Sequence, residues 1–507
     1  MRPDPAPALD LRLVPSALAA WLVTAAGIVW PVGSGIAVAC LAFGAVGLLA
    51  ARRPSGGLLR AGGAGVIGVA VVGAGFGFAA GLRSDAVREH PVTHRFGSTS
   101  WVTVTPGESP RPLSNGRLMF RAALGRLGDD DGSGQVLVFA SAAGFGDLIA
   151  GQPVRFRARV GRPTRRDLTV AVLTAVGEPA GGRAGVLQRG AQAVRAGFAA
   201  TARGVLPPDQ AAILPALVLG DTSAVAPATA AQFRTVGLTH LTAVSGANVT
   251  IVCGAVLLCA RVVGPRPAVA SAAVALVLFV VVVQPSASVL RAAVMGAIAL
   301  LAVLSGRRRQ AIPVLSASVI ALMIAAPQLA VDVGFALSVS ATAALVVLAP
   351  PWSARLTARG VPKTLADCIC IALAAQLVTA PLVAAISGRL SLVGVLANLA
   401  VAVVIPPVTL LGTAAAALCP LWSSAAGLLI RFTGPELWLL LRVADTGAAL
   451  PAAAVSVPSG WAGLVLVGGG TVVAVVLWRR RSFRLVGAGG LLGLVAWSLS
   501  TALAGQQ

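Results

Sequence analysis

His240, Ser245 and Asn248 stand close together at the head of an otherwise apolar run, GLTHLTAVSGANVTIV, which spans Gly237–Val252. Three kinds of chemistry suit such a set. A histidine that titrates near neutrality can relay protons, a serine beside a glycine can act as a nucleophile, and polar groups in a row can line a wet path. The nucleophile fits poorly. A hydrolase elbow wants glycine two places to either side of its serine, and Ala243 and Ala247 stand there instead. No carboxylate lies close in sequence to make His240 a relay. Polar groups are costly in hydrocarbon unless they face protein or water, so the set reads as pore lining or helix packing.

Other polar residues sit inside long apolar stretches further on. Arg291 and Asp332 could form a structural ion pair, snorkel to an interface, or face the same path. Gln376 and Asn398 suit either interhelical hydrogen bonding or that path. Glu436, Arg442 and Asp445 read as one face of an interfacial helix. No catalytic set is expected.

A different chemistry is written between Arg83 and Gly204. In Val154–Val160 (VRFRARV) the residues Arg155, Arg157 and Arg159 alternate with apolar ones, and Arg162, Arg165 and Arg166 follow in the next turn. Side chains of a strand alternate faces, so this is a basic stripe able to meet phosphates, with a plain solvated face as the alternative. Trp101, Phe120 or Phe139 could stack bases beside it. Metal chemistry is not supported. The six cysteines lie in apolar segments without ligand spacing, and His90 and His94 are separated by a helix-disfavouring Pro91. No cofactor or metal is expected.

These residues must be held by a membrane fold. Of 507 residues 57% are hydrophobic and only 11% charged, with mean hydropathy +0.88, whereas soluble domains run nearer about 25% charged. The formal charge of +22 rests on arginine, with a single lysine and no tyrosine. That is the bias of a GC-rich genome and weak evidence for a nucleic-acid partner by itself.

Apolar spans are expected at Pro15–Trp30, Gly35–Ala50 and Ala61–Leu82. Five short alternating segments follow, Trp101–Thr105, Gly116–Ala123, Gln135–Ala140, Val154–Val160 and Leu168–Val176, as in a small barrel of OB type. Gly185–Val205 reads as an amphipathic helix with Arg189, Arg195 and Arg203 on its polar side, and Pro207–Asp221 as a short apolar one. Ten further spans are expected from Leu238–Cys259 to Val486–Leu503, with a broken region over Leu421–Leu450 and a kink late in its span at Pro406–Pro407.

Arginines at positions 52, 53 and 60, 261 and 266, 307–309, 355 and 359, and 479–481 mark alternate loops as cytoplasmic. The expectation is thus a polytopic α-helical membrane protein of about 11–13 spans, with an extracytoplasmic OB-like domain after the third span and its carboxyl end outside. The domains read as 1–82, 83–184, 185–236 and 237–507.

At this point a family likeness appears. GLTHLTAVSGANVTIV resembles the signature of the ComEC competence family. Three more stretches match it in order: PSASVLRAAVMGAIALL, VDVGFALSVSATAALVVL and QLVTAPLVAAISGRLSLVGVLANLAVAVVIPP. The resemblance implies a DNA internalisation channel in a bacterial cytoplasmic membrane, not an enzyme. The outer domain would engage incoming DNA and one strand would pass through the second helical block. His240, Ser245, Asn248, Arg291, Asp332, Gln376 and Asn398 are then candidates for the pore or its scaffold. Many relatives carry a metallo-β-lactamase-like domain after the last span; no H-x-H-x-D-H stretch occurs here, so a short form is expected. No Walker-type phosphate loop occurs either. Partner proteins would therefore be a DNA receptor, a separate nuclease and a cytoplasmic ATPase or helicase, beside single-stranded DNA and lipid. The competing expectation is a secondary transporter or exporter of a small or lipid-linked solute, using broken helices.

Overall fold

Three apolar stretches fold as helices at the front of the chain: α1 (Val14–Val29), α2 (Gly33–Ala51) and α3 (Gly57–Arg88). Small residues let α2 and α3 approach closely, as membrane helices do. A Cβ added at Gly77 would meet the Gly33 carbonyl oxygen at 3.0 Å and the Ala37 nitrogen at 3.1 Å. This computed structural model describes residues 10–30, 32–51, 57–113, 116–304 and 310–477.

After α3 the chain turns into strands β1 (Thr99–Pro106), β2 (Arg111–Pro112), β3 (Arg117–Leu127), β4 (Asp130–Asp131) and β5 (Gln135–Ser141). A one-turn helix α4 (Ala142–Phe145) follows, then β6 (Val154–Gly161) and β7 (Thr169–Gly181). Every expected strand is present, because period-two alternation is the pattern of a half-buried strand. The β6 burial runs strictly in–out.

The five longer strands close on themselves. β1 pairs β6, β6 pairs β7, β7 pairs β5, β5 pairs β3 and β3 returns to β1, all antiparallel except β5–β7. The interior holds Phe120, Phe145, Phe156, Leu173 and Val138, all fully buried. Phe145 and Phe156 meet edge-on with ring centroids 5.1 Å apart. Phe120 is therefore core, and its expected stacking role is withdrawn.

The remaining helices are α5 (Val186–Val205), α6 (Pro208–Leu219), α7 (Pro227–Thr235), α8 (Gly246–Ala260), α9 (Pro265–Val283), α10 (Ala287–Leu304), α11 (Ala311–Ala325), α12 (Val333–Val347), α13 (Ala349–Thr357), α14 (Lys363–Ser387), α15 (Gly394–Val401), α16 (Ile405–Leu418), α17 (Ser423–Phe432), α18 (Gly434–Ala449) and α19 (Trp461–Leu477). A two-strand ribbon pairs β8 (Arg389–Ser391) with β9 (Ala454–Ser456). The chain gathers into two units. One holds Met1–Ala224, Ala243–Val339 and Val408–Thr433; the other holds Val225–Thr242, Ser340–Pro407 and Gly434–Gln507.

Fewer helices can span a bilayer than the hydropathy suggests. Six described helices are long and apolar enough, and the bent pair α15–α16 would make a seventh. Of the expected 11–13 spans, six to seven are met by helix length among the described residues. α1 and α11 have 16 and 15 residues, and at 1.5 Å per residue they reach about 22–24 Å against a core of about 30 Å. The broken region resolves into two helices, α17 and α18, instead of one crossing. Pro406 and Pro407 do not kink a span late in its course. The break precedes them, at 402–404, and they open α16, where their missing N–H groups cost nothing. The basic positions 52, 53, 307–309 and 479–481 and the last expected span, Val486–Leu503, lie outside the described residues.

Candidate functional site

Strand β6 builds the first candidate surface. Its pairing on both sides fixes the pleat, so Val154, Phe156, Ala158 and Val160 fill the barrel while Arg155, Arg157 and Arg159 point to solvent. Alternate residues recur at about 6.8 Å along a strand, a spacing comparable to the phosphate repeat of an extended nucleic-acid strand. Trp101 on β1 lies across from Arg157 in register and is 46% exposed. The Arg155 guanidinium sits over its ring at 5.3 Å, a cation–π contact.

Arg162, Arg165 and Arg166 are exposed in the β6–β7 connection. Arg162 covers the Phe96 ring at 5.8 Å, and an open cleft of about 550 Å³ runs between Phe96, Gly97, Arg159, Arg162 and Thr174. Phe139 carries Arg117 at 5.6 Å. Trp101 and the six arginines are thus exposed, on β1, on β6 and in the β6–β7 connection, whereas Phe139 is half-buried and Phe120 is core.

The apolar run that opened the sequence reading divides in two. Its helix, α8, starts only at Gly246, so the expected span Leu238–Cys259 is shortened. Gly237 adopts φ +75°, a left-handed turn open to glycine, and Thr239–Leu241 forms a single tight turn. His240 therefore precedes the helix. Its Nδ1 lies 3.2 Å from the Gly237 carbonyl oxygen. The ring is accessible to water but walled by protein elsewhere, and this poor hydration of the cation lowers its pKa, against a smaller raising effect of the Gly237 carbonyl.

Ser245, Asn248 and Arg291 come together in the first unit. Ser245 occupies the N-cap of α8 but does not cap it. Its hydroxyl donates to Asn248 Oδ1 at 3.3 Å, while the buried Asn248 donates from Nδ2 to the Leu217 carbonyl at 3.1 Å. Ser288 Oγ donates to the Val244 carbonyl at 2.8 Å, which ties the start of α10 to the start of α8. One turn along α10, Arg291 is 5% exposed. Its Nε donates to Ser338 Oγ at 2.9 Å and its Nη1 reaches Met295 Sδ at 3.0 Å. Among the described residues no carboxylate pairs with it. Asp332 instead caps α12, accepting from the Phe335 amide at 2.8 Å; an Arg291–Asp332 pair is not formed.

In the second unit Gln376 and Asn398 meet around Gly394, the first residue of α15. Asn398 Nδ2 donates to the Gly394 carbonyl at 2.8 Å, and a Cβ added at Gly394 would stand 3.4 Å from both Gln376 Oε1 and Ser391 Oγ. Gly237 abuts Gly394 and Ser391 as well. Ser391 Oγ is buried without a hydrogen-bond partner among the described residues. Arg442 and Asp445 pair at 3.7 Å on α18, where Gln232 also donates to Asp445 at 3.0 Å.

One polar residue stands elsewhere than its sequence pattern implies, and another carries no mark in the sequence. Arg195, placed on the solvent side of an amphipathic helix, is buried. It donates to the carbonyls of Leu219 at 3.1 Å and Val282 at 3.2 Å and pairs with Asp221 at 3.5 Å. Burial pulls its pKa down, and the Asp221 carboxylate opposes that. The Asp that closes LPALVLGD was the available signal. Gln284, in the turn between α9 and α10, bonds Ser109 of the barrel's β1–β2 connection; nothing in local sequence marks that pair. Among the described residues no cluster of His, Cys, Asp and Glu could hold a metal ion.

A family model described as Competence protein matches residues 217–482, just over half of the chain. The likeness read from the four ordered stretches is thereby borne out. No curated protein and no solved structure matches.

Proposed function

Because the chain belongs to the Competence protein family, we propose that it is a channel for DNA uptake, passing a single strand across a bacterial cytoplasmic membrane. Its barrel faces outward and engages the incoming DNA. The observation that carries this reading is the row Arg155, Arg157 and Arg159 on an exposed strand face with Trp101 beside it: cations for the backbone and a ring for the bases. The closed five-strand order with one parallel pair supports an OB-type barrel, a fold that binds oligonucleotides. A DNA receptor, a nuclease activity and an ATPase or helicase complete the proposed pathway as partners.

The test is import of labelled DNA by a deletion strain carrying wild type or the triple Arg155→Gln, Arg157→Gln, Arg159→Gln variant, with single-strand binding by the purified full chain. Loss of three phosphate contacts should flatten the dependence of log K on log salt by about 2. Unchanged import and an unchanged slope would remove the barrel from the reading.

A second reading, transport of a small or lipid-linked solute, is favoured by one feature. The start of α15, the first helix of the bent pair, gathers Gln376, Asn398 and a Ser391 hydroxyl with no hydrogen-bond partner among the described residues, as solute sites on discontinuous helices do. Solute flux in vesicles without DNA, abolished by Asn398→Leu, would decide for it.

A further inference from the structure

We propose that the start of α8 and the Arg291 guanidinium together form a seat for one phosphate-type oxyanion within the helical block. The ligand class is a phosphate mono- or diester. Its identification with a nucleic-acid backbone rests on the function proposed above; the seat itself does not.

Two independent features meet there. The first is an open helix start. The amides of Gly246, Ala247 and Asn248 have no acceptor among the described residues, and the first α8 bond runs from the Val249 amide to the Ser245 carbonyl. A serine at this position normally satisfies one of those amides, but Ser245 turns its hydroxyl to Asn248 Oδ1. Unpaired amides and the helix dipole make such a terminus attract anions. Ala247 is exposed, so the terminus can be reached.

The second feature is a buried cation with no carboxylate against it among the described residues. Arg291 donates Nε to a serine and Nη1 to a thioether, a weak acceptor, and Nη2 has no acceptor among the described residues. Nη2 is aimed at the α8 terminus: a Cβ added at Gly246 would stand 3.1 Å from it and 3.5 Å from the Ala292 Cβ. Glycine at 246 is thus what lets helix start and guanidinium converge. A desolvated unpaired charge is strongly unfavourable, and an arriving oxyanion would relieve it while accepting from the free amides.

The frame is rigid. Ser288 holds the Val244 carbonyl, Asn248 is tied to Leu217, and Ser338 fixes the Arg291 Nε. Phosphate could be presented by a DNA backbone, a lipid headgroup or free orthophosphate, and the arms of the test separate them.

The full chain is purified in a maltoside detergent, and binding of radiolabelled orthophosphate is measured for wild type, Arg291→Gln, Arg291→Lys and Gly246→Ala, together with co-purified phospholipid. Wild type should hold one phosphate, or one phospholipid, per chain. Arg291→Gln should weaken retention at least tenfold without lowering the unfolding temperature, and Arg291→Lys should restore part of it. Gly246→Ala should weaken it severalfold, and carries the test if Arg291→Gln does not fold. Displacement by a thymidine trinucleotide assigns the seat to a nucleic-acid backbone. Retention of orthophosphate or phospholipid that the trinucleotide cannot displace keeps the seat and rejects that assignment. Equal retention by wild type and the variants, or none by wild type, overturns the seat whatever the import assay shows.

Discussion

Gln284 and Ser109 hold each other by two reciprocal hydrogen bonds. The Ser109 amide donates to Gln284 Oε1 at 3.0 Å, and Gln284 Nε2 donates to Ser109 Oγ at 2.7 Å. Gln284 does so at φ +75°, a conformation uncommon for a residue with a side chain. The contact joins the barrel's β1–β2 connection to the turn that leads into Arg291.

Gln284→Ala should free the Ser109 amide while keeping the unfavourable φ. Two bonds of about 1 kcal/mol each are lost, and hydrogen exchange at Ser109 should accelerate about tenfold or more. Gln284→Gly loses the same bonds but relieves the backbone, so its global stability should exceed that of the alanine variant. Unaltered exchange in both would show that the contact does not hold the barrel.

Asp221→Asn should destabilise the first unit by about 1–3 kcal/mol, because it leaves the nearly buried Arg195 charge with carbonyl acceptors only. Adding Arg195→Met should cost less than the two single changes summed, the mark of a coupled pair. Thermal unfolding of the four chains measures this.

Phe156→Ala opens a void inside the barrel and should cost about 3–5 kcal/mol. Arg157→Ala, its neighbour on the opposite face, should stay within about 0.5 kcal/mol. Limited proteolysis of the intact chain reads the difference: cleavage between residues 99 and 181 should rise in the first variant and not in the second.

His240 binds its proton less readily in the folded chain than the ordinary histidine value of about 6.5. As pH falls below that value the unfolded chain takes up the proton first, so folding stability declines, and the decline levels off below the folded pKa. A His240→Gln chain should lack this component. Denaturant unfolding of both chains between pH 7.5 and 5 provides the comparison, and parallel curves would contradict the burial effect.

The barrel was legible because alternation over short segments has one physical solution, a sheet wet on one face. The helix count was not. Apolar composition marks what avoids water but not where a helix stops, and α1 and α11 end short of a bilayer's thickness. The start of α8 was hidden for the same reason. Leu238, Leu241 and Val244 are as apolar as the helix that follows, and hydropathy does not show that the chain turns at Thr239–Leu241 before α8 begins at Gly246. Arg195 and Gln284 were misread or unnoticed because their partners, Asp221 and Val282 or Ser109, are remote in sequence. Ser245 and Arg291 were both flagged, yet their convergence at Gly246 depends on the α8–α10 packing, which no local pattern encodes.

The ring of strands has a consequence for how this protein meets others. With β1 bonded to both β6 and β3, each long strand already has a neighbour on either side, and only the two-residue stubs β2 and β4 hang free. A visiting peptide or a second copy finds little edge on the long strands, beyond the Ala175–Gly181 end of β7, which pairs with β6 alone. Recognition at the barrel therefore falls mainly to side chains and loops, which limits self-templated aggregation while the β6 cations stay open to solvent.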